Sequence, residues 1–251
     1  MFVGVSKYNN YDGAMDLKAP EPNTVKLKDL FKTFRFTKDN IPVERIETLV
    51  NENATKQGIL DAILETFKDA NENDVSYFYY MGHGGVRNGD PIITAADHKY
   101  TDYSTMITVH ELKATLDQIK GHKVILLETC HGGNFIERGA RALAWADFDE
   151  KIVREFAKLS RETLNKGDYQ VITSSAGDQY SWENSWTKIS YFCHPFIMGC
   201  KDLKADYDED GVVTLDEIHN YTTVWIAKQS LPEKQEPQIY PIGSEFPVAE
   251  Y

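Results

Sequence analysis

Two short apolar runs in this chain end in residues able to do covalent chemistry. Tyr77-Phe78-Tyr79-Tyr80-Met81 leads into Gly82-His83-Gly84-Gly85, and Val124-Ile125-Leu126-Leu127 leads into Glu128-Thr129-Cys130-His131-Gly132-Gly133. A thiol must lose its proton before it attacks a carbonyl, and an imidazole beside it can take that proton and later return one to a leaving amine. His83 and Cys130 are the residue types for those two roles. A cysteine at a strand end is ordinarily a small buried hydrophobe. A histidine set between glycines after one strand, with a cysteine set before glycines after another, does not read as packing. Glycine there lets a substrate carbonyl come close to the backbone, and the N–H groups of Gly84 and Cys130 are then the candidate oxyanion hole.

The rest of the chain has to bring those two strand ends together. Short β-rich runs alternate with amphipathic stretches of helical length, which is the pattern of βαβ units and a mainly parallel sheet covered by helices. The strands expected are Phe2–Val5, Arg45–Val50, Val75–Met81, Lys123–Glu128 and Gln170–Thr173. Thr24–Phe34 and Thr55–Phe67 space Leu, Ile and Phe three and four apart and should be helices. Thr108 and Glu111 form a capping-box pattern opening a third helix through about Ile119. Ile189–Cys200 reads as a buried helix, Leu215–Lys228 as another, and the tail Pro232–Tyr251 as a wrap-around ending with a strand at Gln238–Ile242. In an open α/β sheet, ligands sit outside the carboxyl ends of the strands, which is where His83 and Cys130 fall. The whole chain, 1–251, is read as one domain.

These residues resemble the caspase-like cysteine peptidases, a superfamily that includes caspases, metacaspases and bacterial caspase-family proteins. The histidine and cysteine stand 47 positions apart, near the caspase spacing of about 50. Glu128-Thr129-Cys130-His131-Gly132-Gly133 departs from the caspase motif and comes closer to the Asp-x-Cys-His-Ser-Gly of metacaspases. The resemblance implies a three-layer α/β/α sandwich and a cysteine endopeptidase; His131, whose side chain should point away from that of Cys130, reads as a structural neighbour rather than a second base. It also implies a specificity pocket, since in the family the residue two before the nucleophile lines the pocket for the side chain preceding the scissile bond; here that is Glu128. Where caspases carry Ser-Trp-Arg this chain has Ser181-Trp182-Glu183, so the charge is inverted. Asp178, in the segment Ser174-Ser175-Ala176-Gly177-Asp178-Gln179, is a third acid, with Ser174 counted among the substrate-binding residues and Asp16 a candidate from the first loop. Carboxylates in a partly desolvated pocket favour a guanidinium or ammonium. Cleavage after Arg, with Lys weaker, is expected.

Two further features are legible. Asp206-Tyr207-Asp208-Glu209-Asp210-Gly211, followed by Val212, Thr214 and Glu217, matches the twelve-residue EF-hand loop. Ca²⁺ is therefore a candidate ligand of Asp206, Asp208, Asp210, Val212 and Glu217, although a single loop is present and EF-hands usually pair. Residues 132–167, with Arg138, Arg141, Arg154 and Arg161, interrupt the alternation as a candidate self-cleaved loop, within which Asp149–Leu164 could form a surface helix.

The bulk numbers set limits. With 27 basic and 39 acidic residues the net charge is -12, which repels nucleic acid and anionic membranes and attracts basic substrates. Three cysteines without paired spacing argue against a disulfide framework and for a reducing, cytoplasmic setting. Neither a leader nor an apolar run long enough to span a membrane is legible. Thiol chemistry needs no cofactor. A regulatory protein partner is expected by resemblance, and oligomeric state is left open. The alternative reading is a catalytically silent regulatory or calcium-sensing binding module on the same fold.

Overall fold

The computed structural model describes residues 1–33, 35–36, 41–42, 45–87, 90–131, 169–176 and 179–250. Along the chain run β1 (Phe2–Gly4), helix α1 (Pro20–Phe31), β2 (Arg35–Phe36), β3 (Ile41–Pro42), β4 (Thr48–Val50) and α2 (Lys56–Phe67). Next come β5 (Val75–Arg87), β6 (Asp90–Thr94), β7 (Met106–Thr108), α3 (Val109–Leu116), β8 (His122–His131) and β9 (Tyr169–Thr173). The last elements are β10 (Glu183–Asn184), β11 (Ile189–Ser190), α4 (Cys193–Lys201), β12 (Val212–Thr214), α5 (Leu215–Ala227), β13 (Gln238–Tyr240) and β14 (Pro247–Glu250).

The five strands expected from the sequence form the parallel heart of one sheet, in the order β9-β8-β5-β1-β4. Both faces of these strands are apolar, as a sheet covered on two sides requires. Phe78, Tyr80, Ile125, Leu127 and Val171 pack with Ile59 and Ile63 of α2 and Leu112 and Leu116 of α3. Tyr77, Tyr79, Val124, Leu126 and Ile172 pack with Leu27 and Phe31 of α1, Phe196 of α4 and Ile218 of α5. The result is the expected α/β sandwich. The Thr108–Glu111 capping box forms with both of its bonds, and Thr55 caps α2 through the Gly58 N–H.

Several boundaries differ for local reasons. Helix α1 starts at Pro20 rather than Thr24 because proline suits the first helical position, where its missing N–H costs nothing. The expected helix Ile189–Cys200 divides: Ile189 and Ser190 pair as β11 with β10, and Ser190 Oγ accepts the Cys193 N–H at 2.8 Å where α4 begins. The tail does wrap, adding β13 antiparallel to β9 and β14 antiparallel to β12. The main departure is at His83. The histidine does not follow the strand but lies inside it, because β5 runs on to Arg87 and its end pairs antiparallel with β6, Gly84 opposite Ile93.

Candidate active site

The β5/β8 register sets the site. His83 is opposite Cys130, Met81 opposite Glu128, and Gly84 opposite His131. Strand register thus brings the two reactive positions side by side on neighbouring strands. Cys130 and His131 are described as strand backbone; their side chains, Asp178, Asp149–Leu164 and the 132–167 segment lie outside the described residues.

His83 is held on every side. Its N–H donates to Tyr8 Oη at 2.8 Å, and its carbonyl accepts from Tyr80 Oη at 2.8 Å and Thr94 Oγ1 at 2.9 Å. Nε2 lies 2.8 Å from the Met15 carbonyl. A carbonyl can only accept, so Nε2 carries the proton and Nδ1 carries the lone pair. The Tyr8 ring sits against the imidazole with centroids 5.0 Å apart. Burial lowers the pKa of His83 below its ordinary value, which favours the neutral form that a general base needs. No sequence signal marked Met15, because a backbone acceptor belongs to every residue; its carbonyl is delivered by the loop after β1, folded back through Leu17 N–H to Ser6 O at 2.9 Å.

Gly84 is required for packing. A Cβ there would stand 2.9 Å from both Cβ and Cγ2 of Thr129 and 3.2 Å from the Ile92 carbonyl. The glycine is thus needed where β5 is squeezed between β8 and β6.

Glu128 is fully buried. Its Oε2 accepts from Tyr79 Oη at 2.6 Å and Asn23 Nδ2 at 3.3 Å, while Oε1, also buried, has no hydrogen-bond partner among the described residues. Desolvation pushes its pKa up to about 7, with the charge of Glu183 adding to the rise and the nearby Ser190 hydroxyl together with the bonds from Tyr79 and Asn23 opposing it. Ser174 is next in the sheet: its N–H donates to the Leu127 carbonyl at 3.0 Å, and its buried Oγ also has no partner among the described residues. Glu183 has a different occupation, since its two carboxylate oxygens accept the N–H groups of Lys18 and Ala19, each at 3.0 Å, just before α1. Asp16 is exposed, follows Met15 directly, and accepts the Tyr8 N–H at 3.4 Å. Asn23, Tyr79 and Ser190 are the neighbours of Glu128 that the sequence reading missed. The signal for Asn23 was present: it is a polar residue on the face of α1 that also carries Leu27 and Leu30.

A family model described as the caspase domain matches residues 1–244 of this chain. The chain belongs to the caspase-domain family. It is 32% identical over 260 residues to metacaspase-1 of Candida albicans, covering 86% of this chain and 56% of that protein. Against metacaspase-1 of Lodderomyces elongisporus it is 25% identical over 156 residues, covering 55% of this chain and 33% of that protein. The matches therefore span about half or less of these curated relatives. Among solved structures, protein GSU0716 from Geobacter sulfurreducens aligns with a TM-score of 0.60 at 17% identity over 95% of this chain and 90% of that one. Caspase-1 from Spodoptera frugiperda aligns with a TM-score of 0.56 at 15% identity over 95% of this chain and 86% of that one. These likenesses carry the fold, a mainly parallel sheet between helices. No helix among the described residues is long and apolar enough to cross a membrane.

The acidic loop lies between α4 and α5. Asp206, Asp208 and Asp210 each bring a carboxylate oxygen within 4.8 Å of the others. Glu217 instead caps α5, accepting from Thr214 N at 2.8 Å and Thr214 Oγ1 at 2.9 Å, and also from Tyr207 N at 2.8 Å. Val212, the expected carbonyl ligand, begins β12, whose strand partner is the chain's own β14. The helix before the loop ends at Lys201, short of Asp206, unlike a helix running directly into an EF-hand.

Proposed function

We propose that this chain is a cysteine endopeptidase that hydrolyses peptide bonds after Arg, with Lys second, and acts as a regulated proteolytic switch. The observation that carries the specificity is Glu128: a fully buried carboxyl two residues before Cys130, with one oxygen lacking any partner among the described residues. An unpartnered buried oxygen is costly, and a cationic side chain is the group that would relieve it. Glu128 with Ser174 forms the floor of the pocket, and Glu183 adds negative charge beside it; Asp178 and Asp16 are further candidate acids for the substrate cation.

In the reaction His83 takes the Cys130 thiol proton at Nδ1, with Nε2–H anchored on the Met15 carbonyl. The thiolate attacks the scissile carbonyl, and the N–H groups of Gly84 and Cys130 receive the oxyanion. The tetrahedral adduct collapses by breaking the C–N bond, the imidazolium gives its proton to the leaving amine, and a thioester remains. Water, deprotonated by His83, then splits the thioester and returns the free thiol. Substrates are proteins or peptides with basic residues, drawn by the net charge of -12. Cutting within 132–167 matures the chain, and Ca²⁺ at Asp206, Asp208 and Asp210 is a regulatory ligand; calorimetric titration with Ca²⁺ giving no heat would remove the calcium site.

The test is release of fluorophore from matched peptides ending in Arg, Lys, Asp or Asn, by wild type, Cys130→Ala and Glu128→Gln. Cleavage after Arg that vanishes in Cys130→Ala and collapses in Glu128→Gln is expected. Cleavage after Asp or Asn overturns the pocket, and activity persisting in Cys130→Ala overturns the nucleophile.

A further inference from the structure

Beneath Glu128, four elements meet in one buried polar group. Asn23 on α1 is fully buried, and its Nδ2 lies 3.0 Å from Ser190 Oγ, 3.3 Å from Tyr79 Oη, 3.3 Å from Glu128 Oε2 and 2.9 Å from Met81 Sδ. Its Oδ1 accepts the Ser190 N–H at 3.3 Å. An amide nitrogen offers two hydrogens, so these acceptors compete for them, and the hydrogens go where negative charge is greatest. Tyr79 adds its own O–H to the same carboxylate oxygen at 2.6 Å. The donation from Tyr79 and Asn23 falls on Oε2, and Oε1 receives none from the described residues.

This asymmetry has a chemical consequence. Two donors fixed on one oxygen favour the charged form of a carboxyl and orient its plane, leaving the second oxygen as the acceptor for an incoming cation. Resting on the reading of Glu128 as the floor of the substrate pocket, we propose that Asn23, supported by Tyr79 and Ser190, is the positioning residue that favours the ionised form of Glu128 against its burial and keeps Oε1 for the substrate guanidinium. Asn23 thereby governs both the selectivity for a basic residue and the pH at which that selectivity appears. The other groups acting on Glu128 are the Glu183 carboxylate from β10 and the Cys193 thiol from α4. Burial holds the Cys193 thiol and the Tyr79 phenol neutral, and Lys26 on α1 acts on Cys193. Glu183 is therefore the neighbouring charge, and it opposes the ionisation that Asn23 supports.

The experiment compares kcat/KM for a peptide ending in Arg with one ending in citrulline, its uncharged isostere, across the pH range in wild type, Asn23→Leu, Tyr79→Phe, Glu128→Gln and Asn23→Leu/Glu128→Gln. Alkylation by iodoacetamide, which presents no side chain to the pocket, reports the dyad separately. In Asn23→Leu the Arg-to-citrulline ratio near neutral pH should fall roughly ten- to a hundred-fold, the loss expected for a hydrogen bond to a charged group. The fall should lie in KM, with the acid limb of the Arg profile moved to higher pH and the iodoacetamide profile unmoved. Tyr79→Phe should shift both in the same direction. In the Glu128→Gln background Asn23→Leu should change the ratio no further, as residues acting through one group are non-additive. A wild-type ratio in Glu128→Gln removes the pocket reading itself. A collapsed ratio in Glu128→Gln with wild-type ratio and acid limb in Asn23→Leu and Tyr79→Phe overturns the role of Asn23 and leaves the pocket standing. Should Asn23→Leu fail to fold, Tyr79→Phe decides by the same readout.

Discussion

Replacing Glu128 by glutamine should make the protein more stable and less active toward Arg substrates at the same time. The carboxyl is fully buried, and desolvation raises its pKa from 4.5 to about 7. Below pH 4.5 the group is protonated in both folded and unfolded chains and costs nothing. As pH rises, the unfolded chain releases the proton first while the folded chain keeps it to about pH 7, so stability falls across that window and levels off above it. The gap between 4.5 and about 7 corresponds to about 3 kcal/mol. Glutamine keeps an oxygen to accept from Tyr79 and removes the charge. The assay is urea unfolding of Glu128→Gln and its parent from about pH 5 to 8, both in a Cys130→Ala background to prevent self-cleavage. At about pH 8 the variant should gain about 3 kcal/mol, or roughly 6 to 12 °C in Tm, and the gain should shrink toward zero at about pH 5. His98 is buried and its pKa is lowered to about 4, so it loses stability as pH falls; this opposite slope is common to both proteins and cancels in the difference. Unfolding free energies that coincide at every pH would show that the native carboxylate is not desolvated, and would remove the basis of the cation pocket.

Other outcomes follow from the same geometry. Gly84→Ala should lower stability by about 1–3 kcal/mol, the usual cost of overpacking, because its Cβ would press on Thr129 at 2.9 Å; thermal unfolding checks it. Tyr8→Phe removes the acceptor of the buried His83 N–H and should cost about 1–3 kcal/mol, with slower alkylation of Cys130 by iodoacetamide as the local readout. Glu183→Ala frees the N–H groups of Lys18 and Ala19 before α1 and should lower stability by about 1 kcal/mol while the preference for Arg over Asp persists in the peptide panel.

His83 in β5 and Cys130 near the end of β8 were readable because their types are rare in packing roles and common in thiol chemistry. Their side-by-side register, His83 opposite Cys130, came from the strand pairing, because strands apolar on both faces carry no alternation that fixes it. The Thr108–Glu111 cap was equally local. Local pattern failed where strand pairing, rather than residue type, decides the conformation. The strand expected to end at Met81 runs on through Gly82–Gly85 because β6, the next strand, supplies antiparallel bonds that keep it extended, and β14, from the far end of the chain, supplies the strand beside the acidic loop.

The sequence by itself determined the chemistry on offer: a thiol, an imidazole, an acid two residues from the thiol, and the sheet that aligns them. Only the tertiary structure decided how each acid is used. Glu128 and Glu183 look alike in the chain, but one is sealed beneath the sheet's edge with an oxygen lacking a partner among the described residues, and the other is spent on two backbone N–H groups. The reason is physical: a carboxyl's charge state and capacity to bind depend on its solvent access and on which donors reach it, and both are set by contacts such as Asn23 to Glu128 that no local pattern encodes.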